Sequence, residues 1–451
     1  MRFQRLTGMP GFLALWAGQL VSTIGSGLTQ WGLSVWIYKE TGSPTLFILS
    51  MLAAILPNVF LAPFAGLIVD RYDRRLIMLL SDSLAALTTL SVAMLISLGL
   101  LQIWHVYAAA FVYSISATFQ WPAYGASTTL LVPKAQLGRA GGLVQIGEGV
   151  SQVFTPFLAG TLFVTVGLPG IILADLLTFL FALATTTITN IPSPERTASA
   201  VQRESFWHEI TFGWRYIAAR PGLLAILMYF AVANFFGSIS LPLLTPMLLD
   251  TASPDTVGLI GTLAGVGMLL GTLTMSAWGG PKRRAFAIML GDLVGGLFMI
   301  LTGLTPYIPL IVIAQFGFMF TIPITNANSQ ALWQSKVDPG VQGRVFSVRR
   351  MIAFSIMPIA YIAAGPLSEQ VFRPLLIEGG PLAASVGTVI GIGPSRGLGL
   401  MMMVCGALYS LAALAALIYP RSRRVDLELP DAQPDEAPQE DAASQEAAAT
   451  A

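Results

Sequence analysis

Four carboxylates lie inside otherwise apolar stretches of this sequence: Asp82, Glu148, Asp175 and Asp292. An ionised side chain in hydrocarbon is costly, so each must face a cavity, a partner or the polar boundary. Glu148 stands out because Gln145, Glu148 and Gln152 fall at i, i+3 and i+7, one polar stripe on one helical face. Two readings follow. In a wet cavity Glu148 exchanges a proton or couples to substrate; beside Gly147 and Gly149 it makes a structural hydrogen bond across a close helix contact. Asp175, near the outer end of its segment, has the depth to cap or snorkel and is the second coupling candidate. Asp82 and Asp292 each follow a basic pair by roughly two turns, and pairing with that basic layer explains both.

Other chemistry is poorly provided for. The single Cys405 excludes an internal disulfide, and two histidines without a thiol or carboxylate cluster give no metal spacing. None of Lys39, Lys134, Lys282 and Lys336 sits in a phosphate-cradling G-x-x-x-x-G-K-[ST] loop. The chain therefore reads as a non-enzyme with no cofactor and no metal, and its driving force has to come from an ion gradient.

Polar residues also stripe the first, fourth, seventh and tenth apolar segments: Gln19, Ser22, Ser26 and Gln30; Tyr113, Ser116, Gln120 and Tyr124; Asn234, Ser238 and Thr245; Gln315, Asn326 and Gln330. Ser and Thr can satisfy their own helix carbonyls, but Gln and Asn need a polar neighbour. With Trp31, Trp121 and Phe235 close by, a cavity lined by these stripes suits a lipophilic or amphipathic solute.

The elements that carry these residues are membrane helices. Of 451 residues 55% are hydrophobic and 10% charged, with a mean hydropathy of +0.72, where a soluble domain carries roughly 25% charged residues. Apolar runs such as 46–69 and 76–101 have the ~20 residues a helix needs to cross a bilayer. Segments are expected at 11–38, 45–69, 76–99, 104–131, 141–165 and 168–190, then 221–248, 257–279, 285–304, 307–333, 344–365 and 397–419. The fold class is an all-α membrane protein of about twelve transmembrane helices in two six-helix bundles, 1–190 and 221–420. Between them, 191–220 is a linker ending in a surface helix, and 421–451 is an acidic tail expected to be disordered.

Placed on alternating sides, all 24 Lys and Arg except Lys39, Arg373 and Arg396 fall on one face. The positive-inside rule puts that face, both termini and the linker in the cytoplasm, with the chain in the cell membrane. The basic face would attract anionic lipid headgroups. Arg2 and Arg5 resemble a signal n-region, but the run continues to Tyr38 without a cleavage site and reads as the first helix.

The halves look like copies. Phe119-x-x-Pro122 precedes Pro133-Lys-Ala-Gln-Leu-Gly-Arg139, and Phe320-x-x-Pro323 precedes Pro339-Gly-Val-Gln-Gly-Arg344; Arg74-Arg75 before Asp82 is echoed by Arg283-Arg284 before Asp292. Parallel repeats of this kind are a transporter architecture with the substrate near the midplane. The loop after the second segment, Gly66-Leu-Ile-Val-Asp-Arg-Tyr-Asp-Arg-Arg75, resembles motif A of the major facilitator superfamily, G-x-x-x-D-R-x-G-R-[RK]. Asp73 stands where the motif often has Gly, and the second copy, Gly279-Gly-Pro-Lys-Arg-Arg284, keeps only the basic end. Pro133 to Ala140 and the arginine-bearing linker helix further resemble the family's bacterial drug and macrolide efflux branch.

The resemblance implies a gate in which Gly66, Asp70, Arg71, Arg74 and Arg75 pair the cytoplasmic ends of the bundles during the cycle; the plain alternative is a topogenic basic loop. It also implies that the striped helices line a central cavity. The leading expectation is proton-coupled efflux of a lipophilic or amphipathic small molecule by alternating access. Uptake or lipid translocation by the same fold stays open, and a non-transporting receptor or scaffold fits the Asn and Gln stripes worst. Expected partners are a small-molecule substrate, protons and membrane lipids, with no nucleic acid, and the chain is expected to act as a monomer.

Overall fold

A computed structural model describes residues 6–191, 206–423 and 425. Residues 192–205, the acidic tail beyond 425 and the side chain of Asp70 lie outside the described part, and with them the expectations of a disordered tail and of an Asp70 pairing.

The first half runs α1 (Gly8–Thr41), α2 (Pro44–Arg71), α3 (Arg74–Ser97), α4 (Ile103–Leu131), α5 (Leu137–Thr165) and α6 (Gly167–Ile188). The surface helix α7 (Phe206–Ala218) follows. The second half runs α8 (Pro221–Ser240), its short extension α9 (Leu244–Leu249), α10 (Pro254–Trp278), α11 (Arg284–Leu304), α12 (Ile308–Lys336) and α13 (Gln342–Pro366). Short α14 (Arg373–Leu375) and α15 (Gly387–Ile390) lead into α16 (Pro394–Ile418), and α17 (Pro420–Arg423) ends the described chain. Twelve of these, counting α8 with its extension, are long, at the positions expected from the apolar runs. Ten have the length and apolarity to cross a bilayer; α4 and α5 fall short of that apolarity. The reason is local: α5 carries Gln145, Glu148 and Gln152, and α4 carries Ser116, Gln120 and the internal Pro122.

Each helix divides its faces between lipid and bundle. On α3, Leu80, Leu87 and Met94 are exposed, while Met78, Asp82, Ala85 and Thr89 are buried. Asp73 caps α3 by accepting from the backbone N–H of Arg75 (2.8 Å) and Leu76 (3.4 Å), which accounts for an acid at the motif's usual glycine position. The repeat is visible in side chains as well. Arg74 Nη1 donates to Ala126 O on α4 (3.4 Å), and Arg284 Nη1 donates to Ala331 O on α12 (2.8 Å). The register of the copies is therefore Arg74 with Arg284, and Asp82 and Asp292 each stand eight residues further on.

The first and last described residues lie on one face. Leu6 N donates to Ile188 O and Asn190 N to Leu6 O, both at 2.9 Å, and Val425 packs beside Gly222. The motif-A loop and Arg215, Arg220, Arg421 and Arg423 share this basic face. At the opposite, far face an apolar cluster crosses between the halves: Tyr38, Phe47 and Ile48 from the first, with Leu243, Met247, Ile260, Tyr361 and Leu398 from the second.

Between the halves, α5 packs on α10 with almost no spacing. A Cβ on Gly258 would lie 2.4 Å from Pro156 O, and one on Gly265 3.2 Å from Gln152 O. Gly267 and Gly271 press α10 onto α12 in the same way, against Phe316 O and Phe320 O. The α10 glycines thus serve close packing.

A polar cavity and its far-face closure

A cavity of about 600 Å³ opens within the first bundle and reaches the α5 surface that meets the second half. It brings together Gln19, Ser22, Ser26 and Gln30 of α1, Tyr113, Ser116 and Gln120 of α4, and Glu148 and Gln152 of α5. Trp31, Phe179 and Pro156 supply its apolar wall. The stripes of α1, α4 and α5 converge because their polar faces turn away from lipid together.

Other expected lining residues lie elsewhere. Tyr124 is buried in the apolar core of the first bundle. Gln315 is enclosed in the second bundle, where Nε2 donates to Thr302 Oγ1 (3.0 Å), so that partner, and not a cavity, accounts for its polarity. Asn234 and Ser238 are half-buried on α8 outside the cavity lining. Asn326 and Gln330 are exposed on α12, with Gln330 Oε1 accepting from Arg349 Nη1 (3.1 Å). Gln145, the member of the Glu148 stripe nearest the basic face, is also exposed and outside the lining.

The acids differ from expectation too. Asp82 does not pair with the basic layer, because Arg74 is engaged by the Ala126 carbonyl and Asp82 lies two turns deeper. It lines the cavity instead, accepting from Gln120 Nε2 at Oδ1 (2.9 Å) and Gln19 Nε2 at Oδ2 (3.3 Å). Gln120 Nε2 also donates to Gln19 Oε1 (2.8 Å), closing a three-residue ring across α1, α3 and α4. Asp292 is sealed in the second bundle by the hydroxyls of Tyr229 (2.5 Å) and Tyr409 (2.8 Å). Asp175 neither caps nor snorkels: it is fully buried and accepts from Thr29 (2.7 Å) and Thr89 (3.2 Å). Thr89 in turn contacts the Tyr113 hydroxyl at the cavity wall. Glu148 has no hydrogen-bond partner among the described residues and is half-buried at the cavity. That leaves its carboxylate available to whatever enters.

Arg71 is exposed, and Arg75 reaches Thr186 O (3.2 Å) and Thr187 O (2.5 Å) of its own half. A Cβ at Gly66 would meet nothing within 4 Å.

The far face holds a polar clasp that sequence reading missed. Arg373 donates through Nη1 to Gly42 O (2.6 Å) and through Nη2 to Tyr38 Oη (3.0 Å) and Asp250 Oδ2 (3.4 Å). Tyr38 Oη donates to Asp250 Oδ1 (2.6 Å), and Ser43 Oγ to Glu369 (2.8 Å). The only signal was Arg373 itself, one of three basic residues on the sparsely charged side.

Residues 15–361 match the family model of the Major Facilitator Superfamily. Macrolide efflux protein A of Streptococcus pyogenes is 28% identical over 369 residues, 80% of this chain and 90% of that protein. The multidrug efflux pump Tap of Mycolicibacterium fortuitum is 23% identical over 372 residues, 80% and 89% of the two chains. A bacterial homolog of the human lysosomal transporter Spinster, in an inward-facing, unoccupied conformation, superposes with a TM-score of 0.71 at 15% identity, covering 95% of this chain and 98% of that one. Family match, six-plus-six layout and a polar cavity inside an apolar body agree: this chain belongs to the Major Facilitator Superfamily and is a membrane transporter.

Proposed function

We propose that this transporter drives proton-coupled efflux of a lipophilic or amphipathic small molecule by alternating access. The observation that carries the reading is the cavity, in which Glu148 lies unpartnered among Gln, Ser and aromatic side chains while the far face is closed. Relatives named for macrolide and multidrug efflux support the outward direction. With the basic face and both termini in the cytoplasm, the closed far face is the outer one, and substrate loads from the inside. Glu148 is the first coupling carboxyl and Asp175 the second, the latter linked to the cavity through Thr89 and Tyr113.

In this reading Gly66, Asp70, Arg71, Arg74 and Arg75 form the inner gate. A Cβ at Gly66 would meet nothing within 4 Å, so this loop has room to receive the other bundle when the inner face closes. Asn234, Ser238, Asn326 and Gln330 belong to the second wall of the pathway and meet the substrate as the bundles rock. The chain works as a monomer among anionic lipids.

The test is transport in inside-out membrane vesicles with an imposed pH gradient, using compounds to which expression in a drug-sensitive host confers resistance. Accumulation that collapses with the gradient supports proton-coupled efflux. Movement only in the opposite sense would favour an uptake permease.

A further inference from the structure

Val425, where the described chain ends, is fully buried in one core cluster with Ile217 of α7, Leu223 of α8, Ala285 of α11 and Val348 of α13. The seat is tight, since a Cβ at Gly222 would lie 2.9 Å from Val425 Cγ2. Residues 426–451 therefore leave from a fixed point, the corner where these four helices meet. That corner is basic. Arg215, Lys282, Arg421 and Arg423 are exposed on the elements that form it, and Arg220 and Arg344 sit over the rings of Tyr216 (3.5 Å) and Phe212 (4.1 Å). Against them α7, α8, α13 and α17 hold one acid between them, Glu209. The stretch that leaves the corner has the opposite composition, eight Asp and Glu with no Lys or Arg.

We propose that residues 426–451 dock on this corner, their carboxylates against Arg215, Lys282, Arg421 and Arg423, as an intramolecular cover for the basic surface of the second half. Each exposed ion pair is weak, but the tether holds the acids at about millimolar effective concentration. Fully extended, the stretch reaches about 90 Å, so charge and not length selects where it settles. Anionic headgroups are the competing occupant, and they must be gathered singly, whereas the tail brings its charges on one chain.

The experiment uses full-length protein in phosphatidylcholine nanodiscs and a water-soluble carbodiimide, which joins an amine to a carboxylate only on contact. Mass spectrometry maps the links. Native Lys282 and an Arg215→Lys variant report the corner, and native Lys134, exposed in the first half, reports chance encounters. Tail acids should link to the two corner amines at least fivefold more than to Lys134. Raising salt from about 10 mM to about 1 M cuts the screening length from ~30 Å to ~3 Å and should bring the corner yields down to the Lys134 level. Arg421→Gln with Arg423→Gln should lower them at least twofold at low salt. The salt series on Lys282 needs no substitution, so it stands whatever the variants do to folding. Equal yields at all three amines, or corner yields indifferent to both salt and the arginine pair, would overturn the proposal, because tethering alone produces them. Loss of the corner links on adding about 30% phosphatidylglycerol would overturn it too, and make anionic headgroups the occupant.

Discussion

The four intramembrane acids of this protein are held in different ways, and the difference predicts what substitution at each does. Asp292 is enclosed with Tyr229 and Tyr409 far from the cavity, so its neighbours stabilise the second bundle and not the cycle. Tyr409→Phe leaves a buried carboxylate oxygen short of a donor and should lower unfolding stability by about 1–3 kcal/mol. Thermal unfolding in detergent would register the loss, while transport per folded molecule stays near wild type; a large transport defect would bring Asp292 into the mechanism. Glu148 is the opposite case, an acid with no internal partner. Glu148→Gln keeps shape and removes titration, so accumulation of a neutral substrate driven by a pH gradient should disappear while its energy-independent exchange persists. Uphill accumulation at the wild-type rate would assign the proton elsewhere, with Asp175 next.

At the scale of elements, the two copies share scaffolding and differ in what they expose. Arg74 and Arg284 tie the starts of α3 and α11 to α4 and α12 in the same way, but only the first copy keeps the Gly66 to Arg75 loop. Asp70→Asn should therefore reach the membrane in normal amounts and transport slowly, as scored by surface expression and initial rates. Unimpaired rates would leave the loop a topogenic role. The twelve helices were legible in the sequence because a run of about 20 apolar residues is a local property. Which polar stripes face one another was not. Gln120 and Gln315 look alike in sequence, yet one bonds Asp82 at the cavity and the other bonds Thr302 inside its bundle. That choice depends on how each helix is rotated, which helix packing decides. Asp82 was misread for a related reason: sequence distance from Arg74 and Arg75 placed it near the basic layer, while Gln19 and Gln120 arrive from other helices.

For the whole molecule, the even helix count and the segregation of basic residues predict that a reporter fused after Arg220 and one fused within 385–395 report opposite compartments. A shared compartment would undo the twelve-helix topology. The far face then becomes the outer gate, and its two layers make separable contributions. The apolar cluster around Tyr38, Phe47 and Met247 closes the path by exclusion of water, and the clasp centred on Arg373 adds directed bonds to Gly42, Tyr38 and Asp250. The residues involved are separated by hundreds of positions, so no local pattern announces them. They join the halves only while the far face is shut, and an interaction made in one of two states shifts the balance between them by its full net worth. The Arg373 and Asp250 side chains are 16% and 22% exposed, so the ion pair alone contributes little. With the neutral hydrogen bonds included, the net is about 2 kcal/mol, or roughly thirtyfold in population. Arg373→Ala should accordingly make a cysteine placed at Gln30 react faster with a membrane-impermeant maleimide added from the far side, in a Cys405→Ala background. If the rate does not rise, the apolar cluster holds the gate without the clasp, and the bonds of Arg373 serve only to order the 367–393 segment.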